Sequence, residues 1–393
     1  MIPIIQKWYG ERFVLRAVLH LYLEKKMSLF EKTNPLIAVS LLAVASLVGQ
    51  NNQMPSSNCS RPAAPSMSAG CKPPTGPDAS GSWDVFTEAS FIFWNPSQEN
   101  MELGIVSNTS NALYTVHGNT VNLDFDYKPG FKVGLGVNLD RDNWDLYSQY
   151  TWFRGNHHTH TSLDPAGFDV LLPKWEIPDI SHPRYFGGRE DWRLHMDLVD
   201  LELGRAYCVG NALSFRTFFG ARGAWIRQNI EVDYLDETTG LLARENVSIT
   251  QRSHSWAVGP RAGIQTNWML GQGLRMYGNG NGDILFTRYT NMRWHQQATT
   301  ATGAIATGSF YTVRQKDLNY LRGHLELELG FGWGTYIYQN DWHIDLSAGY
   351  GFQIFFDQNM FRTFVDDQQL GVSFMPSGNL YIHGLTASAR LDF

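Results

Sequence analysis

The sequence predicts an all-β chain, a transmembrane antiparallel up-and-down β-barrel of about ten strands, with twelve as the alternative count. Three observations predict it. The first is a recurring period of two: in "HLELELGFGW", Leu325, Leu327, Leu329, Phe331 and Trp333 share one face, while Glu326, Glu328, Gly330 and Gly332 share the other. The second is where residue types fall. Glycine is concentrated on the polar faces, leaving room for long inward side chains, and Trp and Tyr gather near strand ends, where a membrane barrel carries its girdles. The third is that connections alternate between short and long, as periplasmic turns and extracellular loops do. A soluble sandwich shares only the first property.

Composition agrees with that reading. The chain has 393 residues, 13% of them aromatic and only 17% charged, with 37 glycines. A formal charge of -6 points to no nucleic-acid partner. No stretch approaches the roughly 20 apolar residues that a membrane helix needs.

Along the chain, "NPLIAVSLLAVASLVG" (Asn34 to Gly49) follows the charged "MSLFEK" and ends in small residues, the layout of a secretory signal peptide. Residues 1–49 are assigned to that signal region. The true start is Met27 or Met1, and cleavage falls after Ala45 or Gly49. Residues 50–82 are rich in Pro, Ser, Ala and Gly and read as a flexible periplasmic linker. The barrel then occupies residues 83–393. Its strands are expected at 83–94, 122–139, 143–154, 194–208, 212–228, 253–269, 273–289, 317–337, 341–356 and 380–393. For the twelve-strand count, the extra strands would come from "MELGIV" and from Gly371 to Phe374. "GNGNGD" (Gly278 to Asp283) lacks the Lys-Ser/Thr end of a phosphate loop and is expected to bend or bulge the wall.

The motifs "GSWDVFTEASFIFWNP", "DFDYKPGFKVGLGVNLDRDNWDLYSQYTWF", "FGARGAWIRQ", "AVGPRAGIQTNW" and "LYIHGLTASARLDF", in that order, resemble the major outer membrane protein family of Legionella, which is also expanded in environmental chlamydiae. The resemblance covers about Trp83 to Phe393. It implies a pore-forming barrel in the outer membrane of a Gram-negative-type bacterium and brings no catalytic residues with it.

Alternation turns Asp200, Glu202, Arg216, Arg222, Arg261, Glu326 and Glu328 inward, with Asp200 opposite Arg222 across the hairpin at Val209. These seven are the expected pore-lining residues. They form either a charged constriction that filters solutes or an ion-pair network that fills a narrow barrel. The functional expectation is a porin-like protein that passes small hydrophilic solutes. The alternative is a surface-structural or adhesive barrel that displays its loops and conducts little. No enzyme activity, cofactor or metal site is expected: "NHHTH" (Asn156 to His160) lacks supporting carboxylates, and His195 with Asp197 is explained by alternation alone. The expected partners are outer-membrane lipid and the barrel insertion machinery, for which a last strand ending in Phe393 is the assembly signal. Cys59, Cys71 and Cys208 all fall in the oxidising periplasm and are disulfide candidates. The linker reaches Cys208 of its own barrel or a neighbour, and a Cys59–Cys71 loop is the third arrangement. The resemblance to chlamydial envelope proteins implies bonds between molecules, to other envelope proteins or by self-association.

Overall fold

The computed structural model describes residues 85–108, 118–139, 143–177, 185–209, 212–236, 246–299, 305–337, 342–365 and 372–393. The signal region, the linker, Cys59 and Cys71 lie outside them.

Among the described residues, sixteen strands follow one another. They are β1 (Val85–Gln98), β2 (Glu102–Asn108), β3 (Gly118–Asn122), β4 (Lys128–Leu139), β5 (Trp144–Ser162), β6 (Asp169–Pro173), β7 (Gly187–Val209) and β8 (Leu213–Leu235). The second half comprises β9 (Asn246–Gly271), β10 (Leu274–Thr299), β11 (Ile305–Gln315), β12 (Leu318–Ile337), β13 (Trp342–Phe355), β14 (Thr363–Phe364), β15 (Ser373–Phe374) and β16 (Leu380–Asp392). Ten of them close a ring in the order β1, β4, β5, β7, β8, β9, β10, β12, β13 and β16, the last returning to β1. Every neighbouring pair is antiparallel, so the ring has no open edge at membrane depth and each strand's backbone is paired within the protein. The segments proposed as strands eleven and twelve do form strands, but outside the ring. "ELGIV" lies in β2, the centre of a small sheet with β3 and β6, and Ser373–Phe374 pairs with β14.

Of the expected short turns, the one at 270–273 lies wholly within the described residues. There Gly271, Gln272 and Gly273 all take positive φ (111°, 53° and 79°), a conformation that glycine supplies without steric cost. The ends of the strands differ from expectation. β8, β9 and β10 run 23, 26 and 26 residues, more than twice what a tilted strand needs to cross a bilayer. β11 pairs with β10 above β12 in the same alignment, and so carries that wall outward.

The long strands explain themselves through a change in polarity. On β8 the outward residues are Leu213, Phe215, Phe219, Ala221 and Trp225, and the next are Arg227, Asn229, Glu231 and Asp233. Inward, Arg216 and Arg222, with Phe218 between them, give way to Ala224, Ile226, Ile230, Val232 and Tyr234, with Gln228 as the polar member of the upper row. Both faces exchange character within one pleat. Where lipid lies outside, the apolar residues face out; where water lies outside, they turn in. Trp152, Trp225 and Trp256 mark that level on β5, β8 and β9, Trp225 standing directly opposite Trp256. They are the outer aromatic girdle.

"GNGNGD" carries no bulge. Residues 275–283 keep one register with β9 and with β12. Outward Gly278, Gly280 and Gly282 instead make room for Leu329, Leu327 and Leu325 of β12. The register shifts against β9 fall to either side, between Leu274 and Arg275 at the turn and between Tyr289 and Asn291, where the second turns Met292 and Trp294 into the interior.

Candidate functional site: the barrel interior

Below the girdle the interior is an ionic layer. Arg222, only 2% exposed, is its hub. Its Nε and Nη2 donate to the two carboxylate oxygens of Asp200 at 2.6 and 2.7 Å, the fork geometry that suits arginine to a carboxylate. Its Nη1 reaches Asp283 at 3.0 Å and Nη2 reaches Glu326 at 3.3 Å. Arg261, from the next strand, donates to Glu202 at 3.1 Å and Asn281 at 2.8 Å, and lies 3.4 Å from Asp283 and 3.6 Å from Glu326. Lys132 approaches Glu326 from the opposite wall at 3.4 Å. His324 sits 2.6 Å from Asp283. One hydrogen-bonded set of charges therefore spans strands β4, β7, β8, β9, β10 and β12.

A second tier lies nearer the periplasmic turns. Arg216 joins Asp145 and Glu202, and Arg275 joins Asp345. Tyr147 and Tyr277 donate to Glu88 and Glu328 at 3.1 and 2.7 Å. Inward glycines make this packing feasible: a β-carbon at Gly204 would lie 2.5 Å from Arg216 Nε, and one at Gly349 would lie 2.3 Å from the Tyr277 hydroxyl.

All seven residues singled out from the sequence thus lie in the interior, and Asp200 pairs with Arg222 in the expected register. Six of them take part in ion pairs, and Glu328 instead accepts from the Tyr277 hydroxyl. Sequence reasoning missed Lys132, Asp145, Asp283 and His324. Strand parity was the signal for Lys132, which alternates with outward Phe131 and Val133, and for His324, which precedes outward Leu325. Asp283 was hidden by the reading of its segment as a bend.

Above the girdle the interior is mainly apolar, with buried polar wall residues such as Glu190, Gln228 and Gln251 among the apolar ones, and it is filled by the segments between barrel strands. Trp192 and Ile230 of the wall are fully buried together with Leu103, Leu171, Trp175 and Phe361, which come from the segments between barrel strands. Wall side chains hold the backbone of these segments. Gln251 clamps Arg362, accepting from its N–H at 2.7 Å and donating to its carbonyl at 3.1 Å. The Tyr234 hydroxyl donates to the Leu103 carbonyl at 2.6 Å and accepts from the Lys174 N–H at 3.1 Å. Gln296 accepts from the Ile177 N–H at 3.0 Å, and His157 accepts from the Asp126 N–H at 3.1 Å. Each bond satisfies a polar group that burial would otherwise strand. Burial, aided by the nearby Lys128 cation, pushes the His157 imidazole down to about 4, so it stays neutral.

Elsewhere, the three histidines of "NHHTH" are separated by alternation. His157 is buried inside, while His158 and His160 are exposed outside. Among the described residues, no three His, Cys, Asp or Glu side chains gather as a metal cage. Cys208 is half-buried one residue before the end of β7, opposite Ser214. Phe393 donates its N–H to the Val85 carbonyl at 3.1 Å and packs its ring against Trp342, stitching the last residue to the first strand.

No curated protein matches the chain. Among solved structures it is similar to the outer membrane protease OmpT from Escherichia coli, at 11% identity over 81% of this chain and 97% of that one, with a TM-score of 0.38. It is also similar to the Pseudomonas putida toluene transporter TodX, at 11% identity over 81% and 90% with a TM-score of 0.33. A third is a major outer membrane protein from Thermus thermophilus, at 10% identity over 79% and 98% with a TM-score of 0.26. The family described as Legionella pneumophila major outer membrane protein precursor matches residues 75–392. The chain is a member of that family, an antiparallel β-barrel of the outer membrane.

Proposed function

We propose that this outer-membrane barrel is closed across its lumen and works at the cell surface, displaying an ordered outer head rather than serving as an open diffusion pore. The observation that carries this reading is the double filling of one lumen: a buried ionic layer in the membrane zone and a loop-built apolar core above it. Ten strands enclose little more than side chains can fill. The reading gives the protein no catalytic role, and the pair His195 and Asp197 supports that. Both belong to the outward row, and Asp197 is held by Arg154 at 2.9 Å and by the Tyr150 hydroxyl at 2.7 Å.

One observation favours the second reading, passive passage of small hydrophilic solutes. The membrane-level filling is charged, so water and ions could replace its internal bonds if the outer head moved aside. Purified protein in a planar bilayer separates the two. Closure predicts no stable conductance steps at neutral pH; frequent steps that scale with salt concentration would restore the diffusion reading.

A further inference from the structure

The outer wall just above the girdle carries a charge arrangement that the barrel itself does not balance. The first outward row above the tryptophans places His195 opposite Arg227, and Arg227 opposite His254. The next row places Arg252 opposite Arg293, and Arg293 opposite Arg314. In this second row three like charges stand directly opposite one another on one sheet face, and such charges repel. Neighbouring Arg154 and Arg193 are neutralised by Asp197 and Glu231. Among the described residues, Arg227, Arg252, Arg293 and Arg314 take part in no ion pair, and Arg227, Arg252 and Arg314 are exposed. Burial first, and then nearby arginines that include Arg227, push the His195 and His254 imidazoles below their ordinary value.

The position of the patch selects its ligand. Outward side chains repeat every second residue, so the two rows stand about 7 and 13 Å along the strands beyond the tryptophans. That is headgroup depth, and the wall directly beneath offers Trp225, Trp256, Val258 and Phe286 to acyl chains. A soluble anion would have no use for that apolar wall.

We propose that Arg227, Arg252, Arg293 and Arg314 form a binding site for the phosphate groups of a phosphorylated glycolipid of the outer leaflet, whose acyl chains lie on the girdle face of β8 to β10. Guanidinium groups suit phosphate through paired, charge-assisted hydrogen bonds.

The test uses the full-length protein in detergent, with native mass spectrometry counting bound lipid. The ligands are a bisphosphorylated lipid A, the same lipid with its phosphates removed, and inorganic phosphate as competitor. The site predicts retention of the bisphosphorylated form and about tenfold weaker binding of the dephosphorylated one. Combining Arg227→Gln, Arg252→Gln and Arg293→Gln should give a similar loss, whereas Arg189→Gln, higher on the same wall and paired with Asp191, should not. If the triple variant loses its heat-modifiable barrel band, Arg252→Gln alone carries the test, because that exposed side chain supports no internal bond. Equal binding of both lipids, or undiminished binding by the variants, would overturn the proposal. Displacement of the lipid by inorganic phosphate at equal phosphate concentration would overturn the lipid assignment in favour of a free-anion site.

Discussion

The inside of this barrel below the girdle and the inside above it are built from the same strands by opposite rules. On β7, Asp200 and Glu202 point into the lower lumen, while Leu194, Met196 and Leu198 point into the upper one. The lower region is held by charge-assisted bonds around Arg222 and Arg261, and the upper by burial of Trp175, Trp192, Ile230 and Phe361. The solvent outside explains the difference. A strand in lipid spends its apolar residues outward, so its interior must be filled with polar groups that satisfy one another. Once the strand leaves the membrane, it can build a core like that of a soluble protein.

The largest expected effect breaks the lower region. Arg222→Met removes the cation that bonds Asp200, Asp283 and Glu326 most closely and leaves Arg261 alone to face all three, and removing one member of a buried charged set costs about 3–5 kcal/mol. Urea unfolding in lipid vesicles should show that loss. A change below about 1 kcal/mol would mean that water already screens the layer. Next comes the outer surface at the same depth. Leu327→Arg should cost about 2–4 kcal/mol and block assembly. Its neighbour Glu328→Gln keeps a partner for Tyr277 and should assemble normally. Equal damage from both, read on heat-modifiability gels, would reverse the two faces.

The upper region yields to smaller changes. Gln251→Leu strands the Arg362 N–H and carbonyl, at a cost of about 1–3 kcal/mol. Limited proteolysis should then cut near Arg362 while the barrel stays intact. The smallest effect is that of pH. Neutral His157 has a folded pKa of about 4 against an ordinary 6.5, so in that interval the unfolded segment binds the proton that the folded one refuses. Its contribution to stability is full above about 6.5 and falls as pH drops towards 4. Proteolysis of the head should quicken across that window in the wild type and less so in His157→Gln.

Much of the lower region was legible in the sequence. Alternation and the short turns located ten strands, and parity across the Val209 turn brought Asp200 to Arg222. The upper region was not, for a specific reason. The apolar phase on β8 moves from odd to even between Trp225 and Ile226, so a pattern searched at constant phase ends there, although the strand runs on to Leu235. The shift between Tyr289 and Asn291 does the same to β10. The burial of Trp175 and Phe361 had no periodic signal, because they lie outside the barrel strands.

The inversion itself can be measured by a nitroxide scan of β8 from Leu213 to Leu235 in a cysteine-free background reconstituted in vesicles. The account predicts that outward sites through Trp225 collide with oxygen dissolved in lipid, and that those from Arg227 onward collide with a water-soluble nickel reagent. Inward sites at Arg222, Ile226 and Ile230 should collide with neither. Nickel access at Ile226 and Ile230 would mean an open lumen, and oxygen access continuing past Glu231 would mean no change of face, either of which contradicts the account.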